Sequence, residues 1–277
     1  MDGVDVTAED FGVKGPRGWA FRGVGFSAEA GSLVAVEGPS GSGRTSLLLA
    51  LTGRMKPSAG TAVVGGLALP RRMAAVRKIS AVANMAGVTD LEPALTVAEH
   101  LRERALLQRR FGDSLREALR PRPDRVHEAR LRADAALAAA GLDPDTLPKG
   151  SRTPVRDLER LEALRLSVAL ALVGRPALLA VDDAEVRLSA EERAEVWTLL
   201  RSLTRTGTTV LAVCRTAPED CVVVSTESES ESESETEAEA EALADTAAQS
   251  DPEPDTDTEA QTPKEADPDA LTPARRA

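Results

Sequence analysis

Residues 38–45 read Gly-Pro-Ser-Gly-Ser-Gly-Arg-Thr and have the composition of a phosphate-binding loop. Glycines let main-chain N–H groups converge on phosphate oxygens at the start of a helix. Thr45 adds a hydroxyl that can bind Mg²⁺. The segment matches the phosphate-loop pattern at every fixed position except the lysine, which is Arg44 here. Taken alone, the same segment could be only a tight connection between a strand and a helix.

The flanking residues supply the elements that such a loop needs. Residues 31–38 form a short apolar run that ends in glycine, which predicts a buried strand, and residues 45–51 predict a helix. Strands alternate with helices along the rest of the chain, which predicts an α/β protein with a largely parallel sheet. The further strands are expected at 61–64, 79–83, 177–181 and 208–213, and the helices at 158–174 and 190–203. Residues 97–141 predict a helical insertion with a break at the prolines of 121–123.

Charge is distributed unevenly along the 277 residues, whose formal net charge is -11. Residues 225–277 contain 17 acidic and three basic side chains, whereas the remaining residues contain 28 acidic and 31 basic ones. A nearly neutral body gives no electrostatic footprint for nucleic acid, so we expect no nucleic-acid partner. With two Cys and two His, the chain is neither a zinc finger nor a disulfide scaffold, and Cys214 is expected in the core.

The sequence predicts two regions of different character. Residues 1–224 are expected to fold, with a helical subdomain at about 87–157, and residues 225–277 are expected to be a disordered acidic tail. The tail alternates Ser and Glu and has no aromatic residue, so it cannot offset the entropy of ordering. The start of the chain lacks a signal-peptide pattern, and the most apolar stretch is interrupted by Arg175-Pro176, which predicts a cytoplasmic protein.

Four segments in the right order resemble the ATP-binding cassette (ABC) ATPases. The first reads FRGVGFSAEAGSLVAVEGPSGSGRTSLLLALTGRMKPSAGTAVVGG over residues 21–66. The others are Leu-Thr-Val-Ala-Glu-His-Leu at 95–101, Gly-Arg-Pro-Ala-Leu-Leu-Ala-Val-Asp-Asp at 174–183 and Thr-Val-Leu-Ala-Val-Cys-Arg at 209–215. The resemblance covers roughly residues 4–220 and implies the P-loop fold of that family, with a helical subdomain inserted into the core sheet.

The resemblance also implies a set of residues for binding ATP and Mg²⁺. Thr45 and Asp182 would bind Mg²⁺, the second through water. Phe11 falls at the position of the aromatic residue that stacks on adenine, although Trp19 competes for that role and either could be a core residue. The loop residues expected to contact the nucleotide are Gly38, Ser40, Gly41, Gly43, Arg44, Thr45 and Ser46.

Positions that would handle the γ-phosphate depart from the family pattern. Asp183 stands in place of the catalytic Glu, Asn84 in place of the Gln that senses Mg²⁺, and Arg215 in place of the switch His. The signature segment falls on residues 158–162, Leu-Glu-Arg-Leu-Glu, which have lost both signature glycines. Alternatively, Glu159 and Glu162 are only a solvated helix face; the arginines expected to pair with them are Arg156, Arg160 and Arg165.

The resemblance implies an ATP-binding subunit that dimerises as a homo- or heterodimer and couples to a membrane permease at the inner face of the membrane. The departures imply weak or absent ATP hydrolysis. The alternative is a non-catalytic cassette that regulates, or is the silent half of, a heterodimer. We do not expect the sequence of this chain to indicate the transported substrate.

Overall fold

The computed structural model describes residues 2–111 and 122–226. From residue 227 onward the expected disordered tail lies outside the described residues. The helix break was expected at 121–123: residue 121 lies outside the described residues as well, whereas Arg122 and Pro123 belong to the helix Arg122–Ala139, whose first positions tolerate proline. No described helix is long and apolar enough to cross a membrane.

A parallel five-stranded sheet forms the centre of the fold, in the strand order β6-β7-β8-β3-β9. Its strands are β3 (Leu33–Glu37), β6 (Ser80–Ala83), β7 (Leu178–Val181), β8 (Thr209–Val213) and β9 (Val222–Ser225). Every pairing in this sheet is parallel, which confirms the predicted α/β class. Because the carboxyl ends of all five strands meet at one edge, the loops after them converge there.

Both faces of the parallel sheet are buried, as expected for strands that read as continuous apolar runs. In β3, Leu33 and Ala35 pack into one hydrophobic cluster, while Val34 and Val36 pack into a second cluster on the opposite face. Strands β6, β7 and β8 follow the same alternation, whereas in β9 Val224 packs into the second cluster and Val223 is 52% exposed.

A second, antiparallel sheet of four strands was not expected from the sequence and has the order β2-β1-β4-β5. Its strands are β1 (Val6–Gly15), β2 (Gly18–Ala28), β4 (Ala59–Val64) and β5 (Leu67–Leu69). The strand predicted at 61–64 exists but belongs to this sheet, because β4 pairs with β1 and β5. The antiparallel sheet packs over helix α1, which follows β3.

The described helices are α1 (Arg44–Leu51), α2 (Met73–Ile79), α3 (Val97–Phe111), α4 (Arg122–Ala139), α5 (Arg160–Leu172) and α6 (Ala190–Arg205). α3 and α4 lie within the predicted helical insertion. α6 begins at a capping box in which Ser189 accepts the N–H of Glu192 at 3.2 Å, and Glu192 accepts the N–H of Ser189 at 2.7 Å. These reciprocal bonds satisfy N–H groups that the helix itself leaves unpaired.

The folded body continues past the boundary expected at residue 224. β9 extends through Ser225, and Thr226 is buried. The N–H of Thr226 donates to the main-chain oxygen of Glu37 at 3.2 Å. A parallel partner in β3 keeps these residues in the sheet, a pairing that composition alone could not indicate.

Candidate nucleotide-binding site

The loop between β3 and α1 requires glycine for its path. Gly38, Gly41 and Gly43 have φ values of 145°, 94° and 85°, which side chains rarely adopt. A Cβ at Gly43 would lie 2.0 Å from the main-chain oxygen of Ala20, so the loop also packs too closely on β2 to admit one. The predicted phosphate loop therefore has the backbone that its chemistry needs.

Helix α1 starts at this loop without a side-chain cap. Gly43 is its N-cap residue and offers no acceptor to the N–H groups of the first turn. Such N–H groups and the positive end of the helix dipole favour an anion. Ser40 and Thr45 are exposed and Ser46 is half-buried at this end, where they can contact a bound phosphate.

Thr45 and Asp182 meet at the edge of the parallel sheet. Thr45 Oγ1 donates to Asp182 Oδ2 at 2.7 Å, and the N–H of Asp183 donates to Asp182 Oδ1 at 3.1 Å. Asp182 is only 4% exposed, and burial raises the pKa of its carboxyl. A hydroxyl and a carboxylate beside a phosphate loop are the oxygen donors that Mg²⁺ prefers, so this pair fits the expected Mg²⁺ site.

Within residues 2–111 and 122–226, no three His, Cys, Asp or Glu side chains are grouped so as to hold a metal alone. Mg²⁺ does not require such a cage, because it usually keeps several waters and binds through one or two protein ligands plus substrate phosphates.

Arg44 contacts the protein instead of pointing freely along the loop. Its Nη1 donates to the main-chain oxygen of Cys214 at 2.9 Å. This bond joins the start of α1 to the residue that follows β8, immediately before Arg215. Arg44 and Arg215 both line the same cleft, so the structure brings these two predicted residues together.

Asn84 follows β6 and hydrogen-bonds to the residues that follow β7. Its Nδ2 donates to the main-chain oxygen of Asp182 at 2.9 Å and to that of Asp183 at 3.3 Å, and its N–H donates to Ser167 Oγ at 2.7 Å. Asn84 and Asp183 both have left-handed backbone conformations, with φ of 53° and 45°. Both predicted residues thus lie at the carboxyl edge of the sheet, next to Asp182.

Glu185 is a cleft residue that sequence reasoning missed. Its Oε1 accepts the indole N–H of Trp197 at 2.9 Å, and its Oε2 accepts the N–H of Arg215 at 3.0 Å. Glu185 therefore links α6 to the segment after β8, where the switch residue is expected. No local pattern could have indicated this role, because the three residues are far apart in the chain.

The signature segment is capped by its own side chains. Glu159 and Glu162 form a capping box at the start of α5, in which Glu162 Oε2 accepts the N–H of Glu159 at 2.8 Å. The arginines expected to pair with them contact other groups: Arg165 bonds Glu195 at 2.5 Å, Arg156 approaches Asp157, and Arg160 donates to the main-chain oxygen of Val186. Among the described residues the expected pairing with arginines is therefore not formed, although Glu159 is exposed, as a solvated helix face requires.

Phe11 is not available to stack on adenine in this structure. It is fully buried in the core, with its ring centroid 6.0 Å from that of Phe21. A β-bulge between Ala8 and Phe11, with Asp10 at φ 48°, turns Phe11 inward. Trp19, the competing residue, is 43% exposed.

Trp19 lies in β2, next in sequence to the residue of that strand that packs on the phosphate loop. It directly precedes Ala20, whose main-chain oxygen packs against Gly43. Its ring carries the Lys14 ammonium 5.8 Å from the ring centroid. An exposed, flat ring is suited to stack on a base.

A cleft of about 970 Å³ opens between the phosphate loop, the segment after Asp182 and the start of α6. Four arginines line it: Arg44, Arg187, Arg193 and Arg215. The acidic residues that line it are Glu37, Asp183 and Glu185. A cleft of this size with several guanidinium groups suits a polyphosphate ligand.

The end of β9 also contacts the phosphate loop, which the sequence did not suggest. Ser42 Oγ and Thr226 Oγ1 are 2.6 Å apart, and Thr226 Oγ1 also donates to the Glu37 oxygen at 3.2 Å. A Cβ on Gly38 would lie 2.5 Å from both hydroxyl oxygens. Thr226 thus packs directly on the loop at Gly38 and Ser42.

Solved structures share this fold. One is cbiO1 from Clostridium perfringens, part of the ABC transporter complex cbiONQ, with a TM-score of 0.63 and 20% identity over 81% of this chain and 85% of that one. Another is a bacterial Atm1-family ABC exporter with ATP bound, with a TM-score of 0.61 and 20% identity over 82% of this chain and 37% of that one.

Curated relatives are more similar in sequence. The Nod factor export ATP-binding protein I of Cupriavidus metallidurans is 31% identical over 186 residues, which are 66% of this chain and 54% of that protein. The protein of the same name from Ralstonia nicotianae is 31% identical over 191 residues, 68% of this chain and 52% of that protein. The chain spans about half the length of these relatives.

The family model for ABC transporters matches residues 21–186. This match spans the phosphate loop, the helical insertion and the Asp182–Asp183 pair. The chain therefore belongs to the ABC transporter family, as a nucleotide-binding domain.

Proposed function

We propose that this chain is the ATP-binding subunit of a membrane transporter, and that it binds ATP with Mg²⁺ but hydrolyses it slowly or not at all. Cassettes of this family bind ATP with Mg²⁺. The observation that carries the binding proposal is the 2.7 Å hydrogen bond between Thr45 and Asp182 at the uncapped start of α1. It supports the proposal because it joins the two proposed Mg²⁺ ligands at a helix start where no side chain caps the first N–H groups.

Different residues of this chain would bind the phosphates, the Mg²⁺ ion and the base. The loop N–H groups and Ser40 would hold the phosphates, while Thr45 and Asp182 would hold Mg²⁺, which neutralises phosphate charge when bound. Trp19, rather than the buried Phe11, would stack on the base.

Slow hydrolysis is supported by the geometry at the γ-phosphate positions. Phosphoryl transfer depends on positioning and on charge stabilisation by several groups acting together. Arg44 already donates to Cys214, and Asp183 is one methylene shorter than the glutamate it replaces. A displacement of about 1 Å in a catalytic group can cost on the order of 10²-fold in rate.

Coupling to a permease at the inner face of the membrane is supported by a groove of about 260 Å³ between α3, α5 and the segment after Asn84. Val88 and Leu107 line this groove and are 50% and 44% exposed. Two exposed apolar side chains in one groove, beside the charged Asp90, Glu103 and Arg104, offer a mixed apolar and polar surface to a partner. Most residues that line the groove belong to the helical subdomain, which we place at about residues 87–157.

A second candidate function is the silent half of a heterodimer. The capping box of Glu159 and Glu162 favours it, because these carboxylates occupy the start of α5, the position from which a signature segment would meet a partner's phosphate. An intact partner could still complete the Arg44 site of this chain while receiving a poor signature in return.

Isothermal titration of the full chain with ATP–Mg²⁺ tests the proposed binding, and steady-state phosphate release tests the proposed slow hydrolysis. We expect saturable binding that Asp182→Ala abolishes, and turnover well below the ordinary enzyme range of ~1–10³ s⁻¹. Absence of heat up to millimolar ATP would refute binding, and turnover near 1 s⁻¹ that Asp182→Ala abolishes would refute slow hydrolysis.

A further inference from the structure

Outside the nucleotide cleft, three arginines from different parts of the chain come together near the start of β6. They are Arg54 after α1, Arg77 in α2 and Arg104 in α3, and we call them the arginine cluster. Arg54 donates from Nη1 to Ser80 Oγ at 3.0 Å and from Nη2 to the main-chain oxygen of Ser80 at 3.2 Å. Arg77 donates to the main-chain oxygen of Gly53 at 2.8 Å, and Arg104 donates to a main-chain oxygen of α5 at 3.0 Å. In the described part of the chain, the acceptors of the cluster are therefore all uncharged.

The arginine cluster lacks a counter-ion. Among the side chains that the structure describes, no carboxylate lies within 4.0 Å of Arg54, Arg77 or Arg104. Arg54 and Arg104 are nevertheless half-buried. Burial, and then the charges of Arg104 and Arg77, lower the pKa of Arg54 to about 10, and burial lowers the pKa of Arg104. Because a half-buried cation without an opposite charge is unfavourable, an anion that reaches the cluster stabilises it.

Arg104 offers the donors that such an anion needs. A guanidinium group has five N–H donors. Within residues 2–111 and 122–226, Arg104 donates only from Nε, so its Nη1 and Nη2 groups have no acceptor. A pair of parallel guanidinium N–H groups binds the two oxygens of a carboxylate at once. The cluster therefore has both the charge and the free donors of a carboxylate site.

The arginine cluster lies at the end of the groove to which we assign the permease. Arg104 belongs to the cluster and also lines the groove. Val82 lines the groove too, and it follows Ser80 by two residues in β6, so both side chains are on one face, about 7 Å apart along the strand. A segment that packs on the exposed Val88 and Leu107 of the groove can thus extend a side chain to the cluster.

The carboxylates of the groove do not neutralise the arginine cluster. Asp90 and Glu103 both line the groove, but neither lies within 4.0 Å of a cluster arginine, and Asp90 accepts the N–H of Gly87 at 2.9 Å. The segment that supplies two of the cluster arginines is basic, since the chain has seven basic residues and no acidic one between Glu37 and Asp90. The positive charge is therefore concentrated at the cluster rather than along the whole groove.

We propose that the arginine cluster binds a carboxylate side chain of the protein segment that occupies the groove. A peptide fits this position because the cluster is half-buried at the end of an apolar groove, whereas a flat bilayer surface contacts exposed side chains. The identification of the segment as part of a permease rests on the proposed function. The carboxylate contact itself does not require ATP.

The first experiment measures the Tm of the full-length protein in succinate and in NaCl of equal ionic strength. The test variant is Arg77→Gln/Arg104→Gln. The matched control is Arg72→Gln/Lys78→Gln, which removes the same charge from exposed side chains that form no described hydrogen bond or ion pair. As succinate exceeds its Kd, we expect it to raise the Tm of the wild type and of the control by ~2–4 °C, and that of the test variant by less than ~1 °C.

A shift that the test variant retains in full would place the anion elsewhere, such as at the uncapped start of α1, and would overturn the proposal. Equal Tm values of the wild type in succinate and NaCl would do the same. Arg104→Lys keeps a cation at this position without the parallel donors, so it tests the contact at constant charge. We expect a smaller shift than in the wild type, and an equal shift would refute carboxylate binding by the Arg104 fork.

A second experiment tests a carboxylate carried by a peptide. The probe is an amphipathic helical peptide of about twelve residues, with leucines on one face and a single central glutamate. The matched probe has glutamine in place of that glutamate, and fluorescence anisotropy gives both affinities. We expect the wild type and the control to bind the glutamate peptide about threefold to tenfold more tightly, and the test variant to bind both peptides equally. Equal affinities in the wild type, or no binding of either peptide, would overturn the proposal.

Vesicles of phosphatidylglycerol test the lipid alternative by co-sedimentation. We expect the test variant and the control to lose vesicle binding equally, because a flat anionic surface attracts all exposed cations. A larger loss in the test variant would assign the cluster to a lipid headgroup and overturn the choice of a protein partner. Titration of the same proteins with ATP–Mg²⁺ separates the two proposals. Absence of ATP binding with the peptide preference retained would refute only the proposed function, whereas equal peptide affinities with intact ATP binding would refute only the carboxylate site.

Discussion

Arg44 donates a hydrogen bond from Nη1 to the main-chain oxygen of Cys214, 2.9 Å away. The residue that replaces the phosphate-loop lysine is thereby tied to the chain just before Arg215. Arginine is a longer, planar fork rather than a compact ammonium, and the two are not interchangeable at a positioned site. This bond gives the Arg44 side chain a structural role in addition to its charge.

Restoring lysine at this position should not restore catalysis. Arg44→Lys removes the planar fork that reaches Cys214, but Asp183, Arg215 and the capped start of α5 remain. Because catalytic groups act as a unit, repairing one recovers little. We expect phosphate release by Arg44→Lys to stay below ~1 s⁻¹, while Arg44→Ala weakens ATP binding. Asp182→Asn serves as the control for contaminating ATPase, and a rate that rises into the ordinary range would contradict the prediction.

We expect the buried carboxylate of Asp182 to lower the stability of the nucleotide-free protein, although the same group is a proposed Mg²⁺ ligand. Its carboxyl is nearly buried, and burial raises its pKa, so the ionised form is costly at neutral pH. Asparagine keeps an oxygen for the Thr45 hydroxyl without the charge, and the gain from removing the buried charge is expected to exceed the loss of the bond that Asp182 Oδ1 accepts from the N–H of Asp183. We expect Asp182→Asn to raise the Tm of the nucleotide-free protein by about 2–4 °C, the equivalent of ~1 kcal/mol for a domain of this size.

The same variant should lose most of the thermal shift caused by ATP–Mg²⁺, because a proposed ligand is gone. Asp182→Ala is the matched variant: it leaves the Thr45 hydroxyl without its acceptor and should lower the Tm. If Asp182→Asn melts below the wild type, the buried charge is not a source of instability.

Trp19 should report on the base of a bound nucleotide. The chain has two tryptophans, and Trp197 is buried with its indole bonded to Glu185, so the exposed ring is that of Trp19. Stacking is worth ~0.5–1.5 kcal/mol, or about twofold to tenfold in affinity. We expect ATP to change the fluorescence of Trp19, and Trp19→Ala to weaken binding by that factor.

Trp19→Phe keeps a ring and should retain affinity while losing the signal. Phe11→Leu should lower the Tm instead, since Phe11 is a core residue, with little effect on ATP affinity per folded molecule. If Phe11→Leu and Trp19→Ala weaken binding equally, stacking by Trp19 is not the cause.

The sequence predicted the features that depend on neighbouring residues. The phosphate loop, the buried strands before and after it, and the Asp182–Asp183 pair are local patterns whose meaning does not depend on the rest of the chain. Gly43, for example, was expected from spacing alone, and its contact with Ala20 explains the requirement.

The features that sequence reasoning missed are non-local. Phe11 is turned inward by a bulge of one residue in β1, which no periodicity reveals. The contacts of Arg44 with Cys214 and of Ser42 with Thr226 join residues 170 and 184 positions apart. Glu159 and Glu162 have the spacing of both an arginine-paired face and a capping box, and only the structure distinguishes the two.

The two cysteines should differ sharply in reactivity. Cys214 is 2% exposed, and burial raises the pKa of its thiol to about 12. Burial also raises the pKa of Cys221, which is only half-buried. Since the thiolate is the reactive form, we expect one thiol per native chain to react with an aromatic disulfide reagent at pH 8, and the second only in denaturant.

Cys221→Ser supplies the control and should eliminate the native reaction without changing the total in denaturant beyond the loss of one thiol. Two thiols that react at equal rates in the native protein would contradict the burial of Cys214.

The chain alone should not form the nucleotide sandwich in which each cassette offers its signature helix to the phosphate of the other. The start of α5 presents Glu159 and Glu162, whose carboxylates repel phosphate and whose capping box occupies the N–H groups that would donate to it. We expect the protein to elute as a monomer in ATP–Mg²⁺ by size exclusion with light scattering, even with Asp183→Asn added to stop residual hydrolysis.

The informative variant is Glu159→Ser/Glu162→Gln, which removes both charges but keeps side chains able to cap the helix. If the occupied N–H groups prevent dimerisation, this variant also stays monomeric. If the variant dimerises with ATP, the negative charge of Glu159 and Glu162 alone prevented dimerisation of the wild type. Dimerisation of the wild type itself would refute the proposal that the start of α5 prevents the sandwich.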